Sequence, residues 1–218
     1  MTRTTYEAEL SALKERLLQL GTLVADAQTR AVRALAERDE ELAREVIASD
    51  AQINRLQREL EEGCVTLIAQ QQPVAGDLRL IMSVSHIALD LERMGDHAKG
   101  VAVLAIRLAD QPMLKPLIDV PRMAEMGREM LIGQLRAFVD VDIEAARRFA
   151  AMDTEVDQLN DQVFRELLLI MMTDQRTITR ATYLLWVAHN LERFADRTTN
   201  IGERTIFVKS SNVVELNE

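Results

Sequence analysis

The chain spells one seven-residue phrase twice, and that repetition limits how it can fold. The first copy is Asp90-Leu91-Glu92-Arg93-Met94-Gly95-Asp96. The second, 100 positions later, is Asn190-Leu191-Glu192-Arg193-Phe194-Ala195-Asp196. Leu, Glu, Arg and the final Asp recur in place. A second match supports the first: Ala34–Asp50 and Ala137–Asp153 align without a gap at an offset of 103. Repetition at this period in 218 residues means two similar halves.

The halves read as helical. Ala, Leu, Glu and Arg dominate, with only 8 Gly and 4 Pro. Apolar residues step by three and four, as in Leu10, Leu13, Leu17, Leu20 and Val24, which marks one buried stripe per helix. The spacing predicts a first helix over 5–37, weakened at Gly21. A second is capped by Asp39 and runs to about 71, and a third covers 78–109 with Asp77 as its cap. The fourth covers 122–141. The fifth is capped by Asp142 and runs to about 172, and the sixth covers 178–208, before a short polar tail expected to fray. Three of the four prolines, Pro112, Pro116 and Pro121, fall between the third and fourth helices. The expected fold is all-α: two tandem three-helix bundles, six long helices in all, forming an elongated molecule. The bundles are placed at 1–111 and 122–218, with 112–121 as linker.

Bulk properties exclude several functions. A net charge of −9 argues against nucleic acid, because phosphate contacts need a basic surface. The single cysteine, Cys64, cannot form an internal disulfide and reads as a small core residue. The start, Met1 to Leu13, lacks an apolar leader core, and the longest apolar runs, Val101–Ile106 and Leu167–Met172, are far short of a membrane span. A cytoplasmic protein is expected, reaching the inner membrane only through partners. No nucleophile–base pair, phosphate-cradling glycine loop or dinucleotide fingerprint is present, so no enzymatic activity is expected.

The repeated phrase carries the candidate chemistry. Glu92 with Asp96, and Glu192 with Asp196, are i,i+4 neighbours on one helix face. Like charges so placed cost an isolated helix roughly 0.2–0.5 kcal/mol. One such pair alone is an ordinary solvated face; two in register suggest a cation that offsets the cost. The turns serve as rulers. Asp50 and Asn54 lie as far before the turn at Pro73 as Glu92 and Asp96 lie after it. Asp153 and Asp157 are similarly level with Glu192 and Asp196 across the turn near Asp174. Each half would then present four oxygen-bearing side chains at one height.

Such oxygens suit Mg²⁺, Mn²⁺ or Ca²⁺, and carboxylate clusters also hold iron. His189, one turn before Glu192, would favour iron or zinc. His86 and His97 are read as uninvolved. Lys99 lies on the first acidic face and Glu203 on the second, and Asn54 stands where an acid is expected. The first set is therefore the less anionic, and the second is expected to bind metal more tightly. Arg93 and Arg193 read as i,i+3 salt bridges, Asp90 to Arg93 or Arg193 to Asp196.

At these residues the chain resembles the PhoU family of bacterial phosphate-signalling proteins. The resemblance rests on Leu91-Glu92-Arg93-Met94-Gly95-Asp96-His97-Ala98, on Asn190 to Asp196 followed by Thr199-Asn200-Ile201-Gly202-Glu203, on Pro73 to Arg79 and on the proline linker. It covers nearly the whole chain. It implies two three-helix bundles and surface metal clusters of iron or zinc on Asp50, Asn54, Glu92 and Asp96, and on Asp153, Asp157, Glu192 and Asp196. It also implies a negative regulator that links the phosphate ABC transporter, through its ATPase subunit, to a membrane sensor histidine kinase. Two other readings compete: a carboxylate-bridged metalloenzyme and a metal-independent helical scaffold. A homodimer is expected, although no exposed apolar stripe in the sequence marks its interface.

Overall fold

The computed structural model describes residues 3–216. The first bundle consists of α1 (Arg3–Glu37), α2 (Glu40–Gln71) and α3 (Ala75–Leu108). The second consists of α4 (Asp119–Asp140), α5 (Ile143–Ala150), α6 (Asp153–Thr173) and α7 (Ile178–Ser210), and no strand occurs among the described residues. This is the all-α, two-bundle fold expected, but the fifth helix differs from expectation. The fifth rod is not continuous; it breaks at Ala151–Met152 into α5 and α6. The break contains neither proline nor glycine. Its backbone tightens instead, with the Met152 N–H bonding Phe149 O, three residues back, at 3.3 Å.

The halves lie flank to flank. Helix α3 packs along α7 and α1 against α4, and one apolar core runs through both bundles. Leu17, Leu20, Ile53, Leu91, Met94, Phe138 and Phe194 are all fully buried in it. Gly21 sits where α1 meets α4. A Cβ on it would lie 2.1 Å from Leu135 Cδ1, so the glycine lets the two halves approach. The helical propensity it forfeits is exchanged for packing between the bundles.

The two α-hairpins are built alike. Asp39 accepts from the Leu42 N–H at 2.9 Å and Asp142 from the Ala145 N–H at 3.0 Å, so both are the N-caps expected. Each is preceded by a residue in the left-handed region, Arg38 at φ 58° and Val141 at φ 54°. In each, the cap N–H returns to the helix behind it, Asp39 to Ala34 O and Asp142 to Ala137 O, both at 2.9 Å. The third helix differs from expectation. It starts at Ala75, so Asp77 lies in its first turn, where an acid favours the helix dipole, rather than capping it.

The segment between the bundles is pinned rather than loose. Arg38 Nε donates to Ala109 O and Arg180 Nη1 to Pro112 O, each at 2.8 Å. Lys115 pairs with Asp119 at 3.2 Å and also with Glu166. Helix α4 begins earlier than expected, and Pro121 falls in its first turn, where a missing N–H costs little. The tail does not simply fray: Glu203 Oε1 accepts from the Leu216 N–H at 3.0 Å. No helix among the described residues is long and apolar enough to cross a membrane.

Candidate functional site

The structure brings the four residues of each set together, but the two sets differ. In the first, Asp50 projects from α2 and is 7% exposed. Its Oδ2 accepts from Lys99 Nζ at 2.8 Å and from Asn54 Nδ2 at 3.1 Å. The Lys99 ammonium also stands 3.8 Å from Asp96. Burial, with the nearby charges of Asp96 and Asp50, raises the Glu92 carboxyl above its ordinary range. The hydrogen bond from Lys99 to Asp50, reinforced by the surrounding carboxylates, raises the ammonium against the pull of its own burial. A tethered cation therefore already occupies the charge centre of this set.

The second set has no lysine. Thr199 stands at the position matching Lys99, and its hydroxyl donates to the Asp196 backbone carbonyl at 2.6 Å. Asp153 opens α6 directly after the break, and Asp157 lies one turn on. Burial, then the charges of Asp157, Asp196 and Glu192, raise the Asp153 carboxyl to about 7. Asp157 and Glu192 are also raised, chiefly by burial. Two basic side chains flank the set. Arg193 reaches Asp196 at 2.7 Å, the i,i+3 bridge expected, and His189 Nδ1 stands 3.3 Å from Glu192 Oε2. Oδ1 of Asp153 and Oε2 of Glu192 are nevertheless buried without a hydrogen-bond donor.

Oxygen donors, upward-shifted carboxyls and orphaned buried oxygens suit a hard cation in the second set. In the first set Asp50 Oδ1 is likewise buried without a partner, but the Lys99 ammonium supplies the positive charge at Oδ2. Among the described residues, no three His, Cys, Asp or Glu side chains converge closely enough to hold a metal ion as they stand. Ligation in the second set therefore requires its side chains to turn inward from these positions.

Between the bundles lies a polar seam that the sequence reading missed. Asp90 does not pair with Arg93. Its Oδ1 crosses to α7 and accepts from Arg197 Nη1 at 3.1 Å and Asn200 Nδ2 at 3.2 Å. The same contact recurs with the halves exchanged: Asn190 Oδ1 lies 3.1 Å from His97 Nδ1, and packs where a Cβ on Gly100 would stand. Residues 90, 97 and 100 thus answer 190, 197 and 200 across a pseudo-two-fold axis. One side is ionic and the other neutral. Burial, with Arg197, Arg193 and His189 nearby, lowers the His97 imidazole below its ordinary range despite the Asn190 hydrogen bond. The signal was present in the repeat, whose first letter changes from Asp90 to Asn190.

The family model described as PhoU domain matches residues 17–105 and again residues 120–205. The chain belongs to the PhoU family. The curated phosphate-specific transport system accessory protein PhoU homolog of Aquifex aeolicus is 39% identical over 207 residues, covering 95% of this chain and 94% of that protein. The protein of the same name from Clostridium acetobutylicum is 36% identical over the full length of both chains. Two crystal structures of family members superpose on the fold, each with a TM-score of 0.90. PhoU from Pseudomonas aeruginosa is 36% identical, with 95% of this chain and 100% of that one covered. The phosphate transport system regulatory protein PhoU from Streptococcus pneumoniae is 33% identical, with 96% and 99% covered.

Proposed function

We propose that this protein is a non-enzymatic accessory protein of phosphate-specific transport that restrains phosphate uptake and phosphate-starvation signalling. Family membership along nearly the whole chain carries this reading. In this role the protein is a cytoplasmic adaptor. Its long helical flanks dock the ATPase subunit of the phosphate transporter and a sensor histidine kinase, which places it at the inner membrane through those partners. Metal is bound by the second set, with Asp153, Asp157, Glu192 and Asp196 supplying oxygen to an iron or zinc ion or another hard cation. When bound, the ion supplies positive charge that relieves the crowding of these carboxylates. In the first set, Asp50 and Asp96 hold the Lys99 ammonium in its place, with Asn54 bonded to Asp50 and Glu92 beside them. The buried Asp153 Oδ1, which has no hydrogen-bond partner, supports the first half of that assignment, and the 2.8 Å Lys99–Asp50 contact supports the second.

Two experiments test the proposal separately. Deleting the gene in its bacterium should switch on a phosphate-starvation reporter at high phosphate; a silent reporter removes the regulatory role. Elemental analysis of the purified protein should show metal lost in Glu192→Ala/Asp196→Ala and retained in Glu92→Ala/Asp96→Ala. Metal-free wild-type protein would instead favour a metal-independent scaffold, the reading that agrees with the lack of converging ligands.

A further inference from the structure

One joint of the fold is filled in the second half and open in the first. In the second half Lys115 enters it, on a side chain only 15% exposed. Its ammonium stands 3.2 Å from Asp119 on α4 and bonds Glu166 on α6, to which Gln162 donates at 3.2 Å. The offset of 103 that aligns the halves also brings their cores into register. Leu17 answers Val120, Leu60 answers Val163 and Cys64 answers Leu167, and all six are buried. The same offset sets Ala12, Arg16, Glu59 and Gly63 where Lys115, Asp119, Gln162 and Glu166 stand. All four line a single groove of about 470 Å³ between α1 and α2. Small residues replace the lysine and the acid it meets on α6, so the space that this ion pair fills in one half stays open in the other.

We infer that this groove docks a lysine that a partner protein presents between aliphatic side chains. Charge complementarity favours that occupant. Three carboxylates, Glu9, Glu59 and Glu62, line the groove with one guanidinium, Arg16, for a net charge of −2. Glu9 Oε2 is buried there without a hydrogen-bond donor, whereas Glu59 also meets Arg55 at 4.0 Å. Leu13 and Leu67 add buried apolar lining. A lysine suits both parts, because its four-carbon stem lies along apolar surface while its compact ammonium reaches carboxylates. The molecule itself shows what fits the joint. Lys115 arrives on a short segment whose Leu114 and Leu117 pack against the core beside it. A partner would supply from outside what Lys115 supplies within the chain. The groove shares no residue with either acidic set, so the inference fails or survives apart from the metal assignment and the phosphate-signalling reading.

The probe is the chain's own filling segment, an end-blocked peptide with the sequence of Met113–Ile118, added to the full-length protein at low salt. It should bind with a Kd of about 0.1–1 mM and shift the backbone amide resonances of Ala12 and Gly63. A Lys115→Gln version of the peptide should bind roughly 5-fold more weakly or worse, and so should the wild-type peptide with Glu59→Gln/Glu62→Gln protein. Ala12→Lys places a lysine where Lys115 stands in the other half, so it should fill the groove and abolish binding. Gln19→Lys adds the same charge at another exposed site on α1 and should leave binding unchanged. Each variant should keep the wild-type helical spectrum. Unmoved Ala12 and Gly63 resonances at millimolar peptide overturn the inference. So does equal binding of the Lys115→Gln peptide, or full binding by Ala12→Lys protein. If 1,5-diaminopentane matches the peptide at equal concentration, the groove takes a free amine and the docking assignment fails.

Discussion

The ionic side of the seam between the bundles offers the sharpest test of how the halves are held. Arg197 and Asp90 are 17% and 14% exposed in their side chains, and their contact is 3.1 Å. At an effective dielectric near 20, two unit charges at that distance attract by about 5 kcal/mol before desolvation is charged against them. Removing one member of a buried pair typically costs about 3–5 kcal/mol, because the other charge is left unpaired. Here Asn200 still donates to Asp90, which preserves about 1 kcal/mol. Arg197 Nε is already buried without a partner, so the native pair is not fully satisfied. Arg197→Ala should therefore destabilise the protein by about 2–4 kcal/mol. Urea unfolding should show this as a lower midpoint at unchanged slope. The double variant Asp90→Asn/Arg197→His copies the neutral Asn190–His97 pair onto the ionic side. It should recover at least half of the loss, which two independent substitutions would not do. An Arg197→Ala loss below about 0.5 kcal/mol, the size of an exposed pair, would refute the claim that this contact holds the bundles together.

Three further outcomes are expected. Lys99→Met should destabilise the protein by about 1–3 kcal/mol, because Asp50 is buried with only the Asn54 amide left to it, and denaturant titration reads this directly. Val141→Gly should raise the melting temperature by roughly 2–4 °C, because glycine adopts the left-handed backbone without the clash that a branched Cβ meets. A melting temperature unchanged or lowered in scanning calorimetry would count against strain at that position. Burial raises the Cys64 thiol to about 11, so thiolate is scarce in the folded state. A folded value above the unfolded one gives stability that is present below the ordinary thiol range and lost as pH rises toward 11. Thiol-reagent labelling at pH 8 should therefore follow global unfolding, and Cys64→Ala should lose the share of the alkaline pH dependence of stability that falls between the ordinary thiol range and about 11.

The fold was legible because the repeat and the apolar periodicity agree. Asp39 and Asp142 stand at matched positions and cap matched helices. Turn distances also placed Asp153 beside Glu192 and Asp196 without any tertiary information, since rise per residue is fixed in a helix. Other features depend on three-dimensional neighbours. Gly21 reads as a weakness until Leu135 is seen resting on it. Asp90 reads as a local partner of Arg93, because sequence shows the i,i+3 neighbour but not Arg197, 107 residues away. His97 looked uninvolved because its partner Asn190 lies on another helix.

The interruption at Ala151–Met152 has a mechanical consequence. In the first half α2 is one unbroken rod, so the cap at Asp39 and the carboxylate of Asp50 move as a rigid unit. In the second half the equivalent rod has a joint immediately before Asp153. The cap at Asp142 belongs to α5, whereas Asp153 and Asp157 belong to α6. One half therefore sets its acids on a continuous rod around a built-in ammonium, while the other carries Asp153 and Asp157 on a helix that starts anew beyond a joint.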